Sequence, residues 1–172
     1  SFDLTIKKRI QPKLTGKLGL SFELLHLDGN QFGRSYTMNP GLTFDLTDTA
    51  ATTLEYRLRK SDYQNSALFP TNRDREGLTH TITLDQQLRL TETFSLRFGY
   101  SFDRDQARVT SWSSDTHRGN ARLGILLPYS LLLDLSGEAS GHRYQGIQSG
   151  TSAVRNETTI VGSTSLNWQM SS

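Results

Sequence analysis

Apolar and polar residues alternate along most of this 172-residue chain, and strict alternation predicts β-strands. The clearest run places Phe94, Leu96, Phe98, Tyr100 and Phe102 at every second position, with small or charged residues between them. Successive side chains of a strand point to opposite faces of a sheet. The run therefore predicts a strand with one apolar face and one polar face.

Similar runs recur along the chain, and helical spacing explains none of them as well. They cover residues 2–14, 17–27, 36–46, 53–59, 78–91, 94–103, 119–127, 131–139 and 158–170. The sequence therefore predicts an all-β fold in which about nine strands are visible.

The lengths of the runs and of their connections narrow the architecture. Runs of about 9–13 residues exceed the usual globular strand of about 5–6 and match the roughly 9–11 residues that a membrane-spanning strand needs. Short turns are expected near Thr15-Gly16 and at residues 48–49, 91–93 and 128–130, and long connections at 28–34, 62–77, 103–115 and 141–156. Short turns on one rim and long loops on the other are typical of outer-membrane barrels. We therefore predict an antiparallel up-and-down transmembrane β-barrel, with the segment 62–77 as its most accessible loop.

Such a barrel assigns each residue of a strand to lipid or to the interior. The residues expected to face lipid are Leu42, Phe44, Leu54, Tyr56, Ile82, Leu84, Leu96, Phe98 and Tyr100. The residues expected to line the lumen carry charges of both signs, namely Glu23, Asp45, Glu55, Arg57, Arg59, Asp85, Arg89, Arg97, Arg122 and Asp134. Because isolated buried charges are costly, these are expected to pair or to remain hydrated.

Bulky aromatic residues gather near the ends of the runs. Phe94, Tyr129 and Trp168 are expected at the rim with short turns, and Tyr36, Phe102 and Trp112 at the rim with long loops. Aromatic girdles at both interfaces are expected of outer-membrane barrels.

Composition excludes several other classes. The formal charge of +2 is spread along the chain without a basic stripe, so nucleic acid is not an expected partner. The chain has no cysteine, which excludes disulfides and thiolate sites. Its apolar runs are far shorter than the roughly 18–20 residues of a spanning helix. The mean hydropathy of −0.51 is compatible with a barrel, which needs apolar residues only at every second position.

Candidate chemistry is sparse. The histidines lie near strand ends or in expected loops without the spacing of a metal site, and they are His26, His80, His117 and His142. Asp103 and Asp105 could offer oxygen ligands to calcium, but no ordered acidic series follows them. A serine nucleophile beside His142, from Ser149 or Ser152, has no supporting carboxylate pattern. We therefore predict that the chain is not an enzyme and uses no metal or cofactor.

The second half of the chain resembles a known group of barrels. The FDRDQA strand end, the hairpin GNARLGILLPYSLLLDLSGE and the segment GHRYQG are similar to barrel segments of large outer-membrane proteins with tetratricopeptide repeats, including the surface lipoprotein assembly modifier group. The resemblance implies an export or surface-assembly barrel with a periplasmic partner-binding region. It assigns no functional residue.

Residues 1–172 are expected to form a single barrel domain. If the short turns are periplasmic, the first run starts at the outer rim. A further upstream strand or periplasmic domain is then expected, because bacterial barrels usually have an even strand number.

The sequence leaves two other β architectures open. A soluble lipocalin-like barrel would turn the apolar face inward, and a β-sandwich would use shorter strands.

The expected function is a channel or export pore in the bacterial outer membrane, with lipid as its surroundings and a periplasmic or surface protein as a partner. The alternative function is a structural or adhesive barrel whose loops bind extracellular partners.

Overall fold

The computed structural model describes residues 1–27, 30–66, 69–147 and 153–168. Nine strands make up most of these residues: β1 Phe2–Gln11, β2 Leu14–Leu27, β3 Asn30–Thr47, β4 Ala50–Tyr63, β5 Gly77–Arg89, β6 Phe94–Ala107, β7 Ser114–Leu127, β8 Leu131–Ile147 and β9 Val154–Trp168. Three short 3₁₀ helices, Asn72–Arg75, Thr110–Trp112 and Pro128–Ser130, lie in the connections. None of the helices in the described ranges is long and apolar enough to cross a membrane.

The strands form one antiparallel sheet in which each strand pairs with its neighbours in the chain, from β1 to β9. The predicted all-β, up-and-down arrangement of nine strands is confirmed. β1 pairs with β2 and β9 pairs with β8, so the sheet of the described residues is open. Closure into a barrel stays a prediction.

Cross-strand register keeps the two faces separate across the sheet. Leu54 of β4 lies opposite Leu84 of β5, which lies opposite Tyr100 of β6. One position further, the polar residues Glu55 and Thr83 lie opposite each other. Because partners in register share a face, the alternation within each strand becomes one continuous apolar face and one continuous polar face.

The polar face is the less accessible of the two. No hydrophobic residue is buried in the part of the chain that the structure describes. The buried residues of the strands are polar and lie on the polar face, and they are Ser35, Thr81, Ser101, Ser114, Thr116 and Asp134. Large apolar residues such as Ile82 and Phe98, by contrast, are about half exposed, at 50% and 46%. The polar face is therefore shielded more than the apolar face, which is the opposite of the burial expected for the lipocalin-like alternative.

The first predicted turn is wrong. β1 ends at Gln11 and β2 begins at Leu14, so the chain reverses at Pro12 and Lys13. Gly16 pairs with Lys8 inside the β1–β2 ladder. Proline lacks a backbone N–H and has a fixed φ, so Pro12 suits a turn better than a ladder.

Three of the predicted long connections are shorter than expected. β3 begins at Asn30, so most of the expected loop 28–34 is strand, while residues 28 and 29 lie outside the described residues. β6 and β8 extend to Ala107 and Ile147, into the expected loops 103–115 and 141–156. Their Gly, Ser and Asp residues suggested loops, but pairing with neighbouring strands overrides that local preference.

The connection between β4 and β5 is long, as predicted. It also contains the 3₁₀ helix Asn72–Arg75, in which Asn72 is buried and donates from Nδ2 to the Gln64 carbonyl at 3.1 Å. The rim that carries this connection is called the loop rim below. The opposite rim, where β3 turns into β4 at Asp48 and Thr49, is called the turn rim.

Candidate functional site: the polar face and the loop rim

The structure places all predicted lumen-lining residues on the polar face. They are Glu23 in β2, Asp45 in β3, Glu55, Arg57 and Arg59 in β4, Asp85 and Arg89 in β5, Arg97 in β6, Arg122 in β7 and Asp134 in β8. The predicted lipid-facing residues lie on the opposite face, including Leu42, Leu54 and Leu84, which follow one another in register. The register thus puts each set of residues on one face, whereas contact with lipid and with a lumen stays a prediction.

Ion pairs on the polar face reach across an intervening strand. Lys17 of β2 pairs with Glu55 of β4, and both lie opposite Gly41 of β3. Strands two places apart are separated by about 10 Å. A Cβ on Gly41 would come within 3.1 Å of Glu55 Cγ. The absence of a side chain at Gly41 leaves room for this pair.

A second crossing of β3 uses a serine. Arg59 Nη2 of β4 donates to Glu23 Oε2 of β2 at 3.4 Å and to Ser35 Oγ of β3 at 3.3 Å. Ser35 Oγ also donates to Glu23 Oε2 at 3.4 Å. The buried hydroxyl of the middle strand therefore bridges the two charged groups.

The longest series of charges, which we name the central chain, consists of Arg57, Asp103, Arg118 and Glu138. Arg57 Nη2 of β4 lies 4.0 Å from Asp103 Oδ1 of β6. Arg118 Nη1 of β7 lies 3.7 Å from Asp103 Oδ2, and Arg118 Nε lies 3.3 Å from Glu138 Oε1 of β8. Thr81 of β5 accepts a 3.3 Å hydrogen bond from Arg57 Nη2 beneath the first pair. Alternating charges thus connect β4 to β8 over the polar face.

Two further pairs join neighbouring strands nearer the turn rim. Arg97 Nη2 lies 3.3 Å from Asp85 Oδ2, and Arg122 Nε donates to Asp134 Oδ1 at 3.0 Å. The arginine side chains of these pairs are more than half exposed. The polar face is therefore internally paired and still open to water.

Asp45 and Arg89 lie at the turn-rim end of the same face. Both line an open pocket there that also contains Arg9, Lys13 and Asp48. This pocket is a groove between the turns, and side chains of both charges line it.

Replacing Gly99 with valine is expected to destabilise the fold by about 1–3 kcal/mol, the usual cost of overpacking. A Cβ on Gly99 would come within 2.5 Å of Asp85 Oδ1 and 3.1 Å of Asn120 Nδ2, so Asp85 would have to leave its pair with Arg97. Gly119→Val is the matched control. Gly119 of β7 lies opposite Tyr100 on the apolar face, and a Cβ there meets nothing within 4 Å. Urea unfolding of the two variants should differ in midpoint. Equal midpoints would contradict the role of Gly99.

Two of the histidines belong to the apolar face, where tyrosine hydroxyls satisfy them. Tyr56 Oη and His80 Nδ1 are 2.6 Å apart, and Tyr100 Oη and His117 Nδ1 are also 2.6 Å apart. His117 additionally packs against Phe102, with ring centroids 4.9 Å apart. These contacts give Nδ1 of each histidine a hydrogen-bond partner on the apolar face.

The other chemical candidates have partners within the chain. Asp103 pairs with arginines, and Asp105 accepts a hydrogen bond from the Thr79 hydroxyl. His142 Nδ1 lies 2.7 Å from Thr116 Oγ1, whereas Ser149 and Ser152 lie outside the described residues. Over the described ranges, no three His, Asp or Glu residues come together in a way that could hold a metal ion.

At the loop rim, two connections fold inward over the polar face. The Arg75 guanidinium of the β4–β5 loop stacks on the Trp112 ring of the β6–β7 loop, 4.1 Å from its centroid. Arg108 N donates to the Glu76 carbonyl at 2.6 Å, and Gln145 N of β8 donates to the Ser113 carbonyl at 2.8 Å. These bonds hold both loops against the strands.

A cavity of about 330 Å³ lies beneath the stacked pair. Its floor is formed by polar-face residues of β4 to β8, including Arg59, Thr79, Asp105 and His142. Trp112 lines this cavity. Its predicted place in an outer aromatic girdle is therefore wrong, because the loop that carries it folds inward.

The aromatic residues at the turn rim include a direct contact. Trp168 Nε1 donates to the Tyr129 carbonyl at 3.0 Å, and both side chains are largely exposed. Phe94 begins β6 at the same rim. This grouping is the one expected from the sequence.

The intervening residues of the crossings, namely Gly41, Ser35 and Thr81, were not identified from the sequence. A small residue between two charged positions is recognisable only when the register of three strands is known. The chain matches no protein-family model, no curated protein and no solved structure. The functional argument consequently rests on the two faces and on the loop rim.

Proposed function

We propose that this chain forms the wall of a bacterial outer-membrane β-barrel that acts as a channel or as an export or surface-assembly pore. The apolar face would contact lipid, and the polar face would line the interior. The observation that carries the proposal is the reversed burial: the described strands bury polar residues and expose their leucines, isoleucines and phenylalanines.

The continuous apolar face supports a lipid environment. Soluble monomers rarely expose apolar patches larger than a few hundred Å². Here exposed apolar residues extend from Ile6 in β1 through Leu54 and Phe98 to Leu166 in β9. A bilayer would cover such a face, while the backbone groups of the strands are satisfied by their neighbours in the sheet.

The charges of the polar face support a hydrated interior. The side chains of Arg57 and Arg97 are 49% and 58% exposed although they take part in ion pairs. Guanidinium groups in this state keep part of their hydration, which makes the polar face suitable for lining water. Its mixture of both signs favours passage of polar solutes over selection of one charge.

Closure of the barrel requires the exposed edges of β1 and β9 to be paired. In an alternating antiparallel order the first and ninth strands run in the same direction. Direct pairing of the two edges would be parallel, whereas pairing through further strands would keep the antiparallel order.

A second candidate is a structural or adhesive barrel whose loops bind surface or extracellular proteins. The folded loop rim favours it, since Phe69 is exposed and packs edge-to-face against Phe32, with ring centroids 5.4 Å apart. Aromatic residues on ordered loops are common anchors of protein interfaces.

Planar-bilayer recording separates the two candidates. The chain refolded in detergent is expected to give discrete conductance steps, and the same sample boiled beforehand is expected to give none. Unboiled protein should also migrate differently from boiled protein in an electrophoresis gel, because a closed barrel resists detergent. Folded protein that inserts without conductance would support the adhesive barrel. Protein that stays soluble in plain buffer would contradict both.

A further inference from the structure

The cavity at the loop rim combines aromatic rings with positive groups. Trp112, Tyr63 and Tyr144 line it, and the Tyr144 and His142 rings lie 4.5 Å apart at their centroids. Rings of this kind supply flat apolar contact to a ligand at little conformational cost. The volume of about 330 Å³ is suited to a ligand of the size of a monosaccharide.

Two nitrogens among the lining residues are buried without a hydrogen-bond partner. They are Nε of Arg59 in β4 and Nε2 of His142 in β8. Buried polar atoms are normally satisfied, so these two nitrogens are exceptions. The Arg59 Nε–H can only donate, so the missing partner there is a hydrogen-bond acceptor.

Two arginines and one carboxylate line the cavity. They are Arg59, Arg75 and Asp105, and Arg59 is already paired with Glu23 on the polar face. Asp105 already accepts a hydrogen bond from the Thr79 hydroxyl. Within the described chain, Arg75 makes its contact with the Trp112 ring and has no carboxylate in ion-pair range. Its guanidinium keeps its donors for an acceptor outside the chain.

We propose that this cavity binds a small organic anion, a carboxylate or phosphate carried on a sugar-sized frame. Arg75 would hold the anionic group through charge-assisted hydrogen bonds. Tyr63, Tyr144 and Trp112 would contact the frame. The site goes beyond the proposed pore, because binding in it requires neither conductance nor a bilayer.

Tryptophan fluorescence in detergent tests the proposal directly. The chain has two tryptophans, so Trp168→Phe leaves Trp112 of the cavity as the only indole reporter. Glucuronate and glucose 6-phosphate serve as anionic probes, and glucose serves as the neutral match. Both anions are expected to give a saturable change, with binding at least about tenfold tighter than that of glucose, since hydrogen bonds to charged groups are the stronger ones.

Two arginines of the same 3₁₀ helix provide a matched pair of variants. Arg75→Gln is expected to weaken glucuronate binding about tenfold or more, as measured by calorimetry. Arg73→Gln should change it less than about twofold, because Arg73 pairs with Glu76 and does not line the cavity. His142→Gln, in a strand, is a second test if Arg75→Gln fails to fold.

Three results would overturn the proposal. The first is the lack of a saturable response to either anion from protein whose far-UV circular dichroism shows a folded β-sheet. The second is equal affinity for glucose and glucuronate, and the third is an equal effect of Arg73→Gln and Arg75→Gln. Conductance is measured independently of anion binding, so failure of the binding site and failure of the pore are distinguishable.

Discussion

Replacing Phe98 with arginine is expected to cost about 2–4 kcal/mol of folding stability in a bilayer. Phe98 lies in the middle of β6 on the apolar face, with 46% of its surface exposed. If that face meets lipid, the arginine is placed in hydrocarbon. If it meets water, an exposed substitution of this kind normally changes stability by less than about 0.5 kcal/mol. Unfolding in lipid vesicles by urea measures the difference.

Ser95→Arg is the control for this change, because Ser95 lies on the polar face of the same strand and is exposed. Its cost should be clearly smaller than that of Phe98→Arg. Ser101 is unsuitable, since only 7% of its surface is exposed and an arginine there would be overpacked. Equal tolerance of arginine at Phe98 and Ser95 would contradict a lipid-facing apolar side.

Replacing Asp103 with asparagine is expected to destabilise the protein by about 1–3 kcal/mol. The Asp103 carboxylate, with 17% of its side chain exposed, lies 4.0 Å from Arg57 Nη2 and 3.7 Å from Arg118 Nη1. Removing its charge leaves two guanidinium groups without their shared partner. The loss should fall short of the roughly 3–5 kcal/mol of a fully buried pair, because both arginines keep access to water.

Glu157→Gln is the matched control, since Glu157 pairs with Arg155 within the exposed edge strand β9. Exposed pairs of this kind contribute about 0–1 kcal/mol. The urea midpoint should therefore shift more for Asp103→Asn than for Glu157→Gln, with unchanged slopes. Adding Arg57→Gln to Asp103→Asn should restore part of the loss through coupling. Similar midpoints for both single variants would show that the central chain does not stabilise the sheet.

Local alternation was sufficient to predict which residues share a face. The run from Phe94 to Phe102 forms most of β6. The predicted lumen residues Arg97 and Asp85 form an ion pair. Side-chain direction in a strand depends on a period of two residues, so it can be read without knowledge of any neighbour.

Strand ends were less predictable. Gly16 suggested a turn but lies in a ladder, and residues 103–107 suggested a loop but extend β6. A few residues of low strand propensity are stabilised by the pairing partners on either side. Such support depends on strands that are distant in the chain.

The sequence by itself determined the nine-strand alternation, the two faces and the sign of each charge on the polar face. The tertiary structure decided which charges meet, because Lys17 and Glu55 are 38 positions apart and come together only through the register of β2, β3 and β4. It also decided the direction of the loops, which places Trp112 over the polar face beneath Arg75 instead of in an outer girdle. Side-chain alternation is a property of each strand alone, whereas register and loop packing depend on contacts between distant segments.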